Sequence, residues 1–264
     1  SARYNEDINK LLLYCLYNQY TYFITKRIAM HKIALIALLS LPLFSGFFPQ
    51  TVHTSIKSVK ENAITLNSKL PANGMSGVVV HHYGKKQIAI TSRIVQTSSD
   101  GSAALLTTDI LHHDKLPTIG TAVSPKDKVI GGYLYNNVLL LAPDADTYAK
   151  IISTHTKKWI HPDLFALYLS VQGEERPTKE NLAHFSKKYQ VGLIYIVRKD
   201  GAVLLDPISG KIVSQKSMTN LPKEGKFPFY MRFKELKSGW FGNRSEGNYY
   251  NTMESFIVGL SHVK

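Results

Sequence analysis

Two adjacent histidine pairs, His81-His82 and His112-His113, are the first residues whose type and spacing could do chemistry. Neighbouring residues on a strand point to opposite faces, so each pair offers one imidazole to a given side. A metal site would need one histidine of each pair to meet a carboxylate such as Asp109 or Asp114. The plainer reading is partly exposed histidines at strand ends, and neither a metal site nor a cofactor is expected. The single cysteine, Cys15, allows no disulfide within the chain and no cysteine-based metal site. The last residue, Lys264, is the second candidate. A C-terminal lysine carries an ammonium and a free carboxylate a side-chain length apart. A pocket with one cationic and one anionic pole and an aromatic floor can grip that zwitterion, as kringle lysine-binding sites do. Lys264 is therefore the one partner-binding residue that sequence can name. No phosphate-cradling loop, dinucleotide fingerprint, nucleophile elbow or zinc-protease motif occurs. The few carboxylates form no pattern that demands acid–base work. No catalytic residue is assigned, and a non-enzymatic protein is expected.

The 264 residues carry a formal net charge of +13. Such a balance permits nucleic acid, anionic lipid or acidic-protein partners without selecting among them. The lysines are dispersed, with short pairs at Lys85-Lys86, Lys157-Lys158 and Lys187-Lys188, and they read as solvated faces. Bases and aromatics alternate in Lys226–Arg244, a pattern also found in nucleic-acid binders. A helix packing its aromatic side on the domain fits that stretch at least as well, and no nucleic-acid partner is expected.

Near the N-terminus, Ile33–Phe44 is an apolar run preceded by Lys26, Arg27 and Lys32 and followed by Ser45-Gly46. That is the charged, apolar and small-residue order of a secretory signal. It is short for a membrane span, which needs about 20 apolar residues. Residues 30–48 are read as a signal peptide and 1–29 as a mis-called leader, with Met30 as the natural start. The rival reading is an uncleaved anchor with a cytoplasmic leader. Export to the periplasm or to the outer membrane and cell surface follows, with membrane contact only through the signal segment.

Ile56–Leu66 reads as two short strands around a turn at Glu61-Asn62, and Gly77–His82 with Gln87–Val95 as a hairpin. Ala103–Thr108 is a further strand, and Lys128–Leu141 a further hairpin. Short strands with regular turn signals predict a small barrel or sandwich over residues 55–142. The run Val138–Ala142 is a buried-type strand. Asp144 and Asp146 can cap a helix over Thr147–Thr154. Helices over Pro162–Ser170 and Lys179–Gln190 follow. Gly192–Arg198, Ala202–Asp206 and Lys211–Gln215 form a meander whose first turn is Asp200-Gly201. Residues 143–218 are thus an α+β layer, with helices on one face of a mostly antiparallel sheet. Residues 219–264 read as a C-terminal helical segment packing on that layer, with helices over Pro228–Lys237 and Asn251–Leu260. The fold class is α+β, a β-rich module followed by this layer.

These residues, laid out, resemble the N-terminal domain of the plasminogen-binding surface proteins of Helicobacter- and Campylobacter-type bacteria. The likeness rests on GGYLYNNVLLLAPDADTY (131–148), WIHPDLFALYLSVQGEERPTKENLAHF (159–185), GLIYIVRKDGAVLLDPISGKIV (192–213) and FKELKSGWFG (233–242). It extends over about Ser55–Leu260, and its motifs are core and turn residues. It implies an exported, virulence-associated envelope protein that binds host plasminogen through lysines, often C-terminal ones, a requirement Lys264 meets. A second likeness concerns DPISGKIV (206–213), similar to a turn in envelope assembly domains of flagellar T-ring and curli-pore type. It implies the alternative of a periplasmic scaffold in a machine such as the flagellar motor, with envelope proteins as partners and oligomers as an option.

Overall fold

The computed structural model describes residues 46–84, 87–106, 120–233 and 248–262. The expected leader and most of the expected signal segment lie outside the described residues. Six strands form a closed antiparallel barrel in the order β1-β2-β5-β4-β3-β6. They are β1 (Val52–Lys60), β2 (Ala63–Leu66), β3 (Ser76–Tyr83), β4 (Gln87–Gln96), β5 (Ser102–Leu106) and β6 (Lys128–Gly131). β6 closes the ring by pairing with β1 through Val52↔Gly131 and with β3 through Gly77↔Gly131. Closure leaves no free sheet edge, which suits a module with such short strands. Ile56, Ile64, Leu66, Val79, Ile94 and Val129 are buried. Irregularities at Ile56/Ser58 and Val79/Val80 add the bends that a ring of six strands needs.

A second sheet has the order β11-β10-β9-β7-β8. Its strands are β7 (Asn137–Leu141), β8 (Lys158–Ile160), β9 (Leu193–Arg198), β10 (Gly201–Asp206) and β11 (Lys211–Ser217). The meander β9-β10-β11 is antiparallel, with the expected turn at Asp200-Gly201. β7 and β8 join it in parallel. The α+β architecture read from the sequence, a barrel and then a sheet with helices, is the one observed.

One expectation fails at the join. Lys128–Leu141 is not a hairpin, because β6 belongs to the barrel and β7 pairs only with β8 and β9. The reason lies in the side chains. Val138, Leu139, Leu140 and Leu141 are all fully buried, so both faces of β7 need covering. A strand of that kind belongs inside a sheet packed on both sides, flanked here by parallel neighbours. Residues 132–136 carry the chain across, starting with Gly132 at φ +66.

α1 (Ala145–Thr154) starts where Asp144 Oδ1 accepts the Thr147 N–H at 2.7 Å, as expected. β8 follows it, where the sequence suggested only two helical segments. α2 (Pro162–Gln172) begins with Pro162 in its first turn and ends at Gly173 in the left-handed region. α3 (Lys179–Tyr189) opens with a capping box between Thr178 and Asn181. α4 (Tyr249–His262) buries Tyr249, Met253 and Ile257, four residues apart. The Tyr249 hydroxyl lies 2.8 Å from both the Leu141 and Val197 carbonyl oxygens, tying α4 to β7 and β9.

The described part of the expected helix Pro228–Lys237, residues 228–233, is irregular, and the remainder lies outside the described residues. Its backbone bonds reach other parts of the chain instead. The Tyr230 N–H donates to the Ala142 carbonyl at 2.8 Å. The Arg232 N–H donates to Asp163 Oδ1 at 2.9 Å and its Nε to Oδ2 at 2.6 Å. Phe229 stacks on Phe165 at 5.6 Å. Burial alone would push the Asp163 carboxyl up, but the Arg232 backbone N–H and guanidinium, with His161, outweigh it and hold it below the ordinary carboxylate range. A depressed carboxylate contributes stability that is complete above its unfolded pKa and lost as pH falls through the folded value. Acidification below about pH 4 is therefore expected to release residues 226–233 from α2. Hydrogen exchange at the Arg232 amide reads this directly. In Asp163→Ala, which removes the acceptor, the amide should exchange fast already at neutral pH.

Candidate functional site

The sequence-predicted site residues are not brought together. Lys264 and the pair His112-His113 lie outside the described residues, as do Asp109 and Asp114. His81 Nδ1 lies 2.8 Å from Asp127 Oδ1, and Asp127 Oδ2 also accepts the Ser124 N–H at 2.8 Å. His81 thus joins β3 to the loop before β6. Among the described residues no group of three or more histidines, cysteines or carboxylates could hold a metal ion.

The turn DPISG, which carried the second likeness, is consumed inside the fold. Asp206 is completely buried at the end of β10. Its Oδ1 accepts the N–H groups of Ile208 and Ser209 at 2.8 and 3.1 Å. Its Oδ2 accepts the Ser76 N–H of β3 at 2.8 Å and the Tyr135 O–H at 2.7 Å. One carboxylate therefore pins the barrel, the crossing segment and the second sheet together. Burial pushes the Asp206 carboxyl up, against the pull of these hydrogen bonds, and burial beside that acid pushes the Tyr135 phenol up.

A different constellation gathers charge at the surface. Phe47 and Phe48 pack on Tyr195 of β9, with ring centroids 5.2 and 6.1 Å away. Phe48 also meets His155 at 5.1 Å and Trp159 at 6.3 Å. Three nitrogen bases border these rings. Lys216 Nζ sits 4.4 Å above Phe47 and 5.4 Å from Tyr195. Lys157 Nζ sits 4.7 Å above Phe48 and donates to the Tyr135 carbonyl at 3.3 Å. His155 Nε2 lies 3.4 Å from Lys216 Nζ. Burial pushes both lysines down, and burial with the two neighbouring ammonium groups holds His155 below its ordinary value. His155 is the C-cap of α1, so the helix end draws positive charge to this place. A cleft of about 530 Å³ opens beside it, between α1 and residues 218–222.

Sequence reasoning missed this cluster because its members are distant in the chain and none sits in a motif. The paired lysines at 157–158 were visible, but only the turn of the chain into β8, which begins at Lys158, separates them. Lys158 faces solvent and Lys157 faces the rings.

Comparison with known families matches residues 51–257 to one described as the plasminogen-binding protein pgbA N-terminal family. The chain belongs to this family. No curated protein and no solved structure gives a match. The pgbA N-terminal span begins one residue before β1 and ends inside α4, so it takes in the barrel and the second sheet as a single unit. His155, Lys157, Lys216 and Asp206 lie within it, whereas Phe47, Phe48 and Lys264 lie beyond its ends. It is a plasminogen-binding family, not a family of enzymes.

Among the described residues no helix is long and apolar enough to cross a membrane. Phe47 and Phe48 nonetheless fall within the expected signal segment 30–48, although both pack on the core. A chain starting at Gly46 is expected to be more stable than one starting at Pro49 by about 2–4 kcal/mol, the loss of two half-buried aromatic side chains. Urea unfolding of the two forms measures the difference.

Proposed function

We propose that this protein is an exported envelope protein of a Helicobacter- or Campylobacter-type bacterium that captures host plasminogen through lysines. The match of residues 51–257 to a plasminogen-binding family carries the reading. The apolar run Ile33–Phe44, with basic residues before it, supports export. The chemistry of capture is the grip of a kringle-type pocket on an ammonium and a carboxylate. As a chain terminus Lys264 would offer both groups on one residue. Other lysines are exposed to solvent. Lys187 and Lys188 are exposed in the last turn of α3, and Lys199 is exposed in the turn between β9 and β10. The scaffold alternative draws no support from the DPISG turn, since Asp206 spends all four of its bonds within the chain.

Surface plasmon resonance on immobilised plasminogen tests the reading. The full chain is expected to bind, and 6-aminohexanoate, a lysine analogue, is expected to displace it. Removal of Lys264 is expected to weaken binding by about tenfold or more, equivalent to about 1.4 kcal/mol. A full chain that does not bind plasminogen defeats the reading. Binding that survives loss of Lys264 yet yields to the analogue moves the role to internal lysines.

A further inference from the structure

We propose that the cleft beside α1 is a binding site for a small organic monoanion, an aliphatic carboxylate whose head sits between His155 Nε2 and Lys216 Nζ. The two nitrogens lie 3.4 Å apart and both line the cleft. Among the described residues neither has a carboxylate partner within ion-pair distance. A half-buried ammonium without a counter-charge is unfavourable, and a carboxylate that accepts from it removes that penalty. The rings of Phe47 and Tyr195 already hold the Lys216 stem in place, so little side-chain freedom remains to be lost on binding. Burial and the adjacent cations keep His155 mostly neutral near pH 7. Its Nε2 accepts from Lys216 Nζ and becomes a second donor once a bound anion favours uptake of a proton from solvent.

The remaining walls define the rest of the ligand. Ile151, Met218 and Leu221 give the cleft an apolar stretch. Asp144 and Asp146 stand at the opposite end of α1 from His155. Ten helical residues separate the two ends by about 15 Å. Beyond the head site those two carboxylates outnumber the one ammonium, that of Lys150, so the cleft favours a monoanion with an apolar tail over a dicarboxylate or a phosphate dianion. The proposal concerns a ligand of this protein itself and does not depend on plasminogen capture.

The probe is octanoate, titrated into the full-length chain carrying ¹³C-labelled histidine. The His155 ring resonance is expected to shift saturably, and its midpoint of titration to rise, because a bound carboxylate favours imidazolium over neutral imidazole. The groups facing that ring are Lys216, Lys157 and Phe48. Lys216→Gln is expected to weaken octanoate by about tenfold. Octanedioate and inorganic phosphate should bind wild type at least about tenfold less well, and Asp146→Asn, an exposed position away from the head site, should narrow the octanedioate gap. The proposal is overturned if octanoate leaves the His155 resonance unmoved, or if a folded Lys216→Gln binds it unchanged. It is equally overturned if octylamine or octanedioate binds as well as octanoate. Should Lys216→Gln fail to fold, the Asp146→Asn comparison decides the matter alone.

Discussion

Asp206→Ala is expected to destabilise the protein by about 3–5 kcal/mol, the range for stripping one partner from a buried charged network. The carboxylate receives four hydrogen bonds, two from its own turn and two from distant parts of the chain. Alanine leaves the Ser76 N–H and the Tyr135 O–H buried without an acceptor, each worth about 1–3 kcal/mol when unsatisfied. Asp206→Asn should be intermediate. Its amide oxygen can still accept from Ile208 and Ser209, but its NH₂ group then faces the Ser76 N–H, donor against donor. Tyr135→Phe removes one donor and leaves the acid with three, so its loss should be about 1–2 kcal/mol. Urea unfolding of the two single variants and the double variant closes a cycle. A coupling of about 1 kcal/mol or more is expected, because the two groups touch at 2.7 Å. Additive losses would mean that the Tyr135 bond does not hold the crossing segment to Asp206 and that the link to the barrel rests on Ser76 alone.

That network also shows where sequence reading stops. The DPISG turn was legible as a turn, since an aspartate followed by proline and then glycine favours one. That its aspartate reaches back 130 positions to Ser76 was not legible, because no local pattern encodes a long-range hydrogen bond. The same limit separates the helices from the site. Caps at Asp144 and Thr178 follow from local chemistry and appear where expected. The segment 228–233 carries a helix-like spacing of aromatics, yet its backbone donors at Tyr230 and Arg232 find partners at Ala142 and Asp163, and tertiary contacts override the period. His155 and Lys216 come from a helix end and an edge strand, 61 positions apart. Only the fold places them together. The histidine pairs were conspicuous in the sequence for the opposite reason, as neighbours in the chain that a strand is bound to separate.

Gly192→Ala is expected to destabilise the protein by about 3 kcal/mol, the upper part of the usual range for overpacking. A methyl group there would meet the Leu134 carbonyl oxygen at 2.0 Å and its carbon at 2.2 Å. Both are backbone atoms, which cannot swing aside as the end of a long side chain can. The neighbouring bonds leave no easy relief. The Leu134 carbonyl already accepts the Asn137 N–H at 2.9 Å, and the Gly192 N–H donates to the Asn137 carbonyl at 2.9 Å. Asn137 Nδ2 further donates to the Gln190 carbonyl at 2.8 Å. Moving Leu134 outward would therefore pull on the start of β7, which pairs with β9 from Val138↔Leu193 onward. It would also shift Tyr135, whose hydroxyl is held by Asp206. Gly120→Ala is the matching control, since among the described residues nothing lies within 4 Å of the added methyl, and its effect should stay within about 0.5 kcal/mol. If Gly192→Ala acts by displacing residues 132–136, that displacement already breaks the Tyr135–Asp206 bond, so Gly192→Ala and Tyr135→Phe should together lose less than the sum of their separate losses. Full additivity in urea unfolding would place the strain of the added methyl within β9 itself and not in the segment that joins the barrel to the second sheet.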